Sequence, residues 1–303
     1  MRPPSEARSL LIRVMRGCPW NYCTFCSAYK DVPRKTLMRS VEEVKSDIDE
    51  LRAHCDEMRY RGYVVEPRAA FLADSNAIIV KTADLVQIVI HLLEAFPSLG
   101  RVTSYGRAKT VLTKDLHELQ ELRKAGLNRL HLGLESGDDG VLERVKKGAN
   151  SEQMITAGLR VKEAGLELSE YVMPGLGGWE RSQQHVEGTA RVLNAVNPHY
   201  TRVRSLILAP GTPLYQEHRE GSFQAMSVLD LTREIRALVE RLEITGRLCF
   251  DHFSNPPFLR QDWEGYRFPD EKEEVLSTID SALEIQQARL PDESSGPVIG
   301  SQL

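Results

Sequence analysis

Between residues 10 and 208, six short apolar runs alternate with loops and amphipathic segments. No other feature constrains the fold so much. Strands that each lead into a helix can rejoin their neighbours only by crossovers, so they build a parallel sheet with helices outside it. The expected strands are Leu10–Val14, Ala69–Ala73, Arg101–Ser104, Arg129–Leu134, Leu166–Met173 and Tyr200–Leu208. The helices between them are read over 40–52, 83–96, 114–125, 139–146, 151–164 and 180–195. Ser40 and Glu43 form a capping box at the first, and Gly126 closes the third. Six such units in about 210 residues predict an α/β fold, a partial (β/α)6 TIM-like barrel of parallel strands. A doubly wound open sheet is the alternative.

After Pro210 the pattern loosens. A helix is expected over 228–244, a short strand over 247–251 and a last helix over 271–290. The span 255–269, rich in proline and aromatics, reads as a loop. The expected organisation is therefore a core over 8–215, a mostly helical extension over 216–290 that completes the substrate site, and a disordered tail over 291–303.

A net charge of −4 gives no bulk electrostatic reason to bind nucleic acid. There is no membrane-length apolar run and no secretory leader pattern, so a cytoplasmic protein without a membrane span is expected. Five cysteines, an odd number with three clustered, suit metal chemistry better than a disulfide framework. The solitary Cys55 and Cys249 read as small buried hydrophobes.

The clustered three lie in CPWNYCTFC, as Cys18, Cys23 and Cys26. Three thiolates can hold three irons of a 4Fe–4S cube and leave the fourth iron open. A closed four-ligand zinc or ferredoxin site is a different design. The rival is a zinc knuckle completed by a histidine, but the nearest, His54, lies in a predicted helix. The other strand ends carry Asp74-Ser75-Asn76, Ser104 to Arg107, Gly133 to Gly137, Pro174 to Gly178 and Ala209 to Pro213. In barrels of parallel strands, chemistry gathers at these ends.

Taken together, these residues resemble the radical S-adenosylmethionine (radical SAM) superfamily. The resemblance is carried by the cysteine triad after the first strand, by Phe25 before the third cysteine and by the strand-end motifs. RLHLGLESGDDGVLERVKKG (129–148) and LILAPGTPL (206–214) look like the branch containing oxygen-independent coproporphyrinogen oxidases and tRNA methylthiotransferases. One departure is the CxxxxCxxC spacing, with four then two intervening residues where three then two is common.

The resemblance, over residues 8–215, implies two cofactors. Cys18, Cys23 and Cys26 would ligate a 4Fe–4S cluster, and its open iron would chelate S-adenosylmethionine. Asp74, Ser75 and Asn76 occupy the place of the family's glycine-glycine-glutamate motif, although the double glycine is missing. Ser104 and Arg107 would meet cofactor or substrate. Glu135 would contact the cofactor, with Gly175 and Gly177 near the adenine and Phe25 as a wall. The implied chemistry is one-electron cleavage of the sulfonium to a 5′-deoxyadenosyl radical, which takes hydrogen from substrate. A reductant such as flavodoxin or ferredoxin is implied as a partner.

Further candidates come from position alone. Arg202 and Arg204 alternate on one strand face, and inward cations would meet an anionic substrate group or the cofactor carboxylate. Asp251 and His252 end the seventh strand, and with Arg107 and Glu135 they are the catalytic candidates. The competing readings are structural: Asp74 and Asn76 as a capping loop, His131 as a barrel histidine. Glu170 and Tyr171 are open as to face. There is no second cysteine cluster, so methylthiolation is not expected, and a small molecule or peptide is favoured over tRNA. An iron–sulfur carrier or sensor without turnover, or a zinc-stabilised α/β binding protein, are the rival functions.

Overall fold

A computed structural model describes residues 2–30, 36–289, 297, 299 and 300. The chain packs as two compact units. One comprises Met1–Pro19, Pro33–Leu132 and Leu159–Leu168, the other Trp20–Val32, Gly133–Gly158 and Ser169–Leu303.

In the first unit β1 (Leu10–Arg13) is followed at once by β2 (Met15–Arg16), which pairs antiparallel with β3 (Leu37–Met38). This small ladder, absent from the sequence reading, brackets the cysteine-bearing segment in the chain. Its two-residue strands carry no periodic signal to read. The main strands are β1, β4 (Ala69–Ala73), β5 (Arg101–Gly106) and the start of β6 (Leu127–Glu135), paired parallel in that order. In β4, Ala70 to Ala73 are all buried. Burial of successive residues means both faces are covered, which suits an unbroken apolar run to a parallel sheet.

Helix α1 (Val41–Tyr60) starts at the expected capping box, with Ser40 accepting from the Glu43 amide. It runs eight residues beyond the expected end at 52, where Arg52 pairs with Asp56 and Arg61 with Glu57 on successive turns. Helix α2 (Thr82–Ala95) buries Leu85, Ile88, Val89 and Leu92. The helix expected over 114–125 is α4 (Leu116–Ala125), and a short helix that the sequence reading did not include, α3 (Ala108–Thr113), precedes it. Asp115 separates them: its side chain accepts from the Glu118 amide and opens α4.

The second unit carries α5 (Asp139–Arg144) and the first residues of α6 (Ser151–Glu163). Its strands are β7 (Glu167–Val172), β8 (Tyr200–Val203) and β9 (Arg247–Cys249), paired parallel with Tyr171 opposite Arg202 and Arg202 opposite Cys249. Strand β8 stops short of the expected Leu208. Beyond it, single bonds from Arg204 to Val172 and from Leu206 to Pro174 carry the chain on. Within the span expected as a loop, β10 (Tyr266–Arg267) pairs antiparallel with β9. Tyr266 is buried there, edge-on to Phe250. The remaining helices are α7 (Ser182–Val196), α8 (Pro213–Arg219), α9 (Val228–Arg241) and α10 (Lys272–Arg289). The predicted tail lies largely outside the described residues; Ile299, within it, bridges Leu208.

Candidate active site

In the first unit, the end of β4 holds the residue that precedes Cys18. Asp74 Oδ2 accepts from the Gly17 amide at 3.4 Å, and Ser75 Oγ donates to the Gly17 carbonyl at 2.9 Å. Asn76 makes no capping bond to the short helical turn it opens. Its amide group instead ties two strand ends, accepting from the Arg107 amide at 3.0 Å and donating to Thr110 Oγ1 at 2.8 Å. Ser104 is buried, and its hydroxyl is directed at the Leu72 and Tyr105 carbonyls.

His131 is buried edge-on to Tyr105, 3.6 Å from the buried carboxylate of Glu6. The buried carboxylate and the ring contact suit the structural reading of this histidine. Its partner lies in an N-terminal segment that looked merely polar in the sequence.

In the second unit, Cys23 and Cys26 pack against an apolar cluster that includes Phe25, Met173, Leu176, Leu206 and Leu214. Phe25 is buried within it. All three clustered cysteines are neither fully buried nor fully exposed. In kind and number the donors fit a three-thiolate cluster site, and the apolar wall beside two of them is the surrounding such a site needs. As the side chains stand, no three metal-binding groups converge among the described residues. Cys55 and Cys249 are buried, and burial pushes the Cys249 thiol up to about 11, so it behaves as packing.

Glu135 ends β6 in the left-handed backbone region, with φ of 63°. A non-glycine residue there costs energy and persists where the surroundings fix it, which is frequent at functional sites. Its Oε1 accepts from Lys147 Nζ at 2.8 Å. That pairing fixes the carboxylate at the end of the strand. Gly175, at φ 85°, gives its amide to Glu234 Oε1 at 2.6 Å. At Gly177 a Cβ would come within 3.0 Å of the Arg181 carbonyl, so close packing on the start of α7 accounts for this glycine without a ligand.

Sequence reasoning missed a buried polar set behind these turns. Ser136 Oγ meets His185 Nδ1 at 2.8 Å, and His185 Nε2 lies 3.8 Å from Glu234. Burial lowers the His185 pKa, which favours a neutral imidazole. The one available sequence signal was a histidine at an otherwise apolar helix position.

Arg202 is buried and bonded through Nη1 to Asp251 Oδ2 at 2.5 Å, with Nε on Ser169. Arg204 lies over the ring of buried Tyr171, 4.4 Å from its centroid. Glu170, on the same strand, is buried near Gly158 of α6. His252 bonds Ser254 Oγ at 2.8 Å and makes no pair with Asp251. Burial, aided by the Arg204 charge, lowers its pKa to about 4, so it is neutral at neutral pH.

The chain matches the family model described as the Radical SAM superfamily over residues 12–193, more than half its length. The chain belongs to the radical SAM superfamily. The cofactors of that family are a 4Fe–4S cluster and S-adenosylmethionine. It is 25% identical over 207 residues to an uncharacterized methyltransferase of Pyrococcus horikoshii, covering 68% of this chain and 41% of that protein. It is also 25% identical over 216 residues to a tRNA-2-methylthio-N(6)-dimethylallyladenosine synthase of Alkalilimnicola ehrlichii, covering 70% of this chain and 46% of that one. The chain thus spans less than half the length of these relatives.

The solved structure of coproporphyrinogen III oxidase from Escherichia coli aligns with a TM-score of 0.55 at 17% identity, over 77% of this chain and 52% of that one. At that identity the likeness speaks for the fold, and it agrees with the α/β partial-barrel class expected from the strand–helix alternation. No helix among the described residues is long and apolar enough to cross a membrane.

Proposed function

We propose that this radical SAM enzyme holds its 4Fe–4S cluster on Cys18, Cys23 and Cys26, cleaves S-adenosylmethionine reductively and takes a hydrogen atom from a small-molecule or peptide substrate. The observation that carries the reading is the set of three partly buried cysteines within nine residues, inside the family-matched region. When bound, the two cofactors supply reductive cleavage and hydrogen abstraction. The residues of the chain do the rest. Phe25 and its apolar neighbours exclude water beside Cys23 and Cys26. In the second unit the Glu135–Lys147 pair orients polar groups of S-adenosylmethionine at the end of β6, with Gly175 as a further contact; in the first unit Asp74, Ser75, Asn76 and Ser104 are the candidate contacts. Arg204, with the neutral His252 near it, faces an anionic group of substrate or cofactor; Arg107, in the first unit, is a further candidate contact to cofactor or substrate.

Residues 8–215 supply this core, and 216–290 complete the substrate side. A one-electron carrier such as flavodoxin or ferredoxin is the reductant. The formal charge of −4 argues against tRNA as substrate. Anaerobic reconstitution with iron and sulfide tests the reading. A reduced-cluster EPR signal and 5′-deoxyadenosine formation with dithionite are expected, both lost in Cys23→Ala. Zinc uptake without that signal, or a cluster that yields no 5′-deoxyadenosine above the Cys23→Ala background, overturns it.

A further inference from the structure

The four-residue spacer between Cys18 and Cys23, one longer than the common pattern, has a structural use. Trp20 Nε1 donates to the Lys146 carbonyl at 2.7 Å, across 126 residues of chain. The indole lies against Gly148, at φ 79°, where a Cβ would come within 2.6 Å of the ring. Tyr22 packs edge-on to Trp20 with centroids 5.0 Å apart. Between them Asn21 takes φ 48°, its side chain bonded to the Tyr29 carbonyl at 2.7 Å. The left-handed residue turns the spacer, and the aromatic pair on either side of it borders a groove of about 720 Å³ with Lys146 and Gly148.

The turn that receives Trp20 also touches the site. The Lys146 carbonyl stands 3.9 Å from Cys23 Sγ. The Thr24 amide donates to the Val145 carbonyl at 3.0 Å, and Lys147 Nζ holds Glu135 at 2.8 Å. One turn, 145–148, therefore meets the spacer, a cysteine and the carboxylate at the end of β6. Neither local helix nor strand geometry holds Cys23 in place, since residues 18–23 lie outside both. The tryptophan anchors the spacer to the same turn that accepts the Thr24 amide.

We propose that Trp20 is a positioning residue: it latches the cysteine loop to the 145–148 turn, seating Cys23 for cluster ligation, and the additional residue of CxxxxCxxC serves this latch. The inference rests on the cluster reading above. Reconstituted wild type, Trp20→Ala, Trp20→Phe and Gly148→Ala are compared anaerobically for iron content, reduced-cluster EPR and the rate at which a ferrous chelator strips iron. Full loading is expected throughout, with release about tenfold faster in Trp20→Ala and Gly148→Ala, the factor set by one lost anchoring hydrogen bond. Trp20→Phe, which keeps a ring and loses the donor, falls between.

Trp179→Ala, at a tryptophan 54% exposed that does not border the Trp20 groove, should release iron at the wild-type rate. Wild-type release in Trp20→Ala, or equal acceleration by Trp179→Ala, overturns the proposal. If circular dichroism shows Trp20→Ala unfolded, Gly148→Ala decides in the same way. A wild type that takes up no cluster instead defeats the cluster reading itself.

Discussion

Asp74 and Gly17 meet across 57 residues of chain: a carboxylate at the end of β4 accepts the amide of the residue just before Cys18. The contact gives Asp74 a duty to the cysteine loop beside its proposed duty to S-adenosylmethionine. The two separate by substitution. Asp74→Asn retains an acceptor for the Gly17 amide and loses the charge that would attract an ammonium group. Asp74→Ala loses both. Iron content after reconstitution should match wild type in Asp74→Asn and fall in Asp74→Ala. Calorimetric affinity for S-adenosylmethionine should fall about tenfold or more in both, as for loss of a charge-assisted bond. Wild-type affinity in Asp74→Asn would confine this carboxylate to the loop.

Glu234 joins α9 to the Gly175 turn. Besides the Gly175 amide it accepts the Ser182 hydroxyl, and it is itself buried. Glu234→Ala leaves both donors without their partner, at about 1–3 kcal/mol for the buried Gly175 amide and less for the half-buried Ser182 hydroxyl, which water can reach. Urea unfolding should show a loss of that order, with Glu234→Gln losing less because one acceptor oxygen remains. If the Gly175 turn meets the cofactor, affinity for S-adenosylmethionine falls in parallel in Glu234→Ala. Unchanged affinity in a folded Glu234→Ala removes Gly175 from the binding surface.

What could be read in the sequence was what is local. The Ser40–Glu43 capping box and the Gly126 stop, which takes φ 118°, act within one turn of helix. The run AAFLA is buried residue after residue and marks its strand unaided. Asp115 with Glu118 was equally legible as a helix start and would have placed the start of the helix drawn over 114–125 at Leu116. The cysteine triad needed only its spacing. The contacts that assign work to the site are long-range. Trp20 meets Lys146, Glu234 meets Gly175 at 59 residues, and Arg202 meets Asp251 at 49. β10 escaped notice for the same reason, since a two-residue strand exists only through its pairing with β9. Proximity of this kind is set by topology and leaves no periodic trace.

Arg202 and Asp251 form an ion pair whose side chains are almost wholly withdrawn from water. Breaking such a pair strands one charge, while removing both charges is far less costly. Asp251→Ala should destabilise the fold by about 3–5 kcal/mol. The double variant Arg202→Met/Asp251→Leu should recover much of that loss, measured by urea unfolding. Asp251 was also a candidate for chemistry. If Asp251→Ala retains wild-type stability and loses only 5′-deoxyadenosine formation, its place is in the reaction and not in the pair.

Glu6 makes acid stability a sharp test of the first unit. Burial alone would raise its carboxyl, but His131, the Ser9 hydroxyl at 2.5 Å and the Arg101 guanidinium at 3.1 Å outweigh it and bring the pKa from 4.5 down to about 2. A carboxylate whose folded pKa is depressed stabilises the fold fully above its unfolded value, and that contribution is lost as pH falls through the folded one. The window therefore runs from 4.5 down to about 2, and the contribution is on the order of 3 kcal/mol. Urea midpoints of wild type should fall through this window. Glu6→Gln, already weaker at neutral pH, should follow a flatter curve there. Parallel pH curves for the two proteins would show that another carboxylate governs the acid transition.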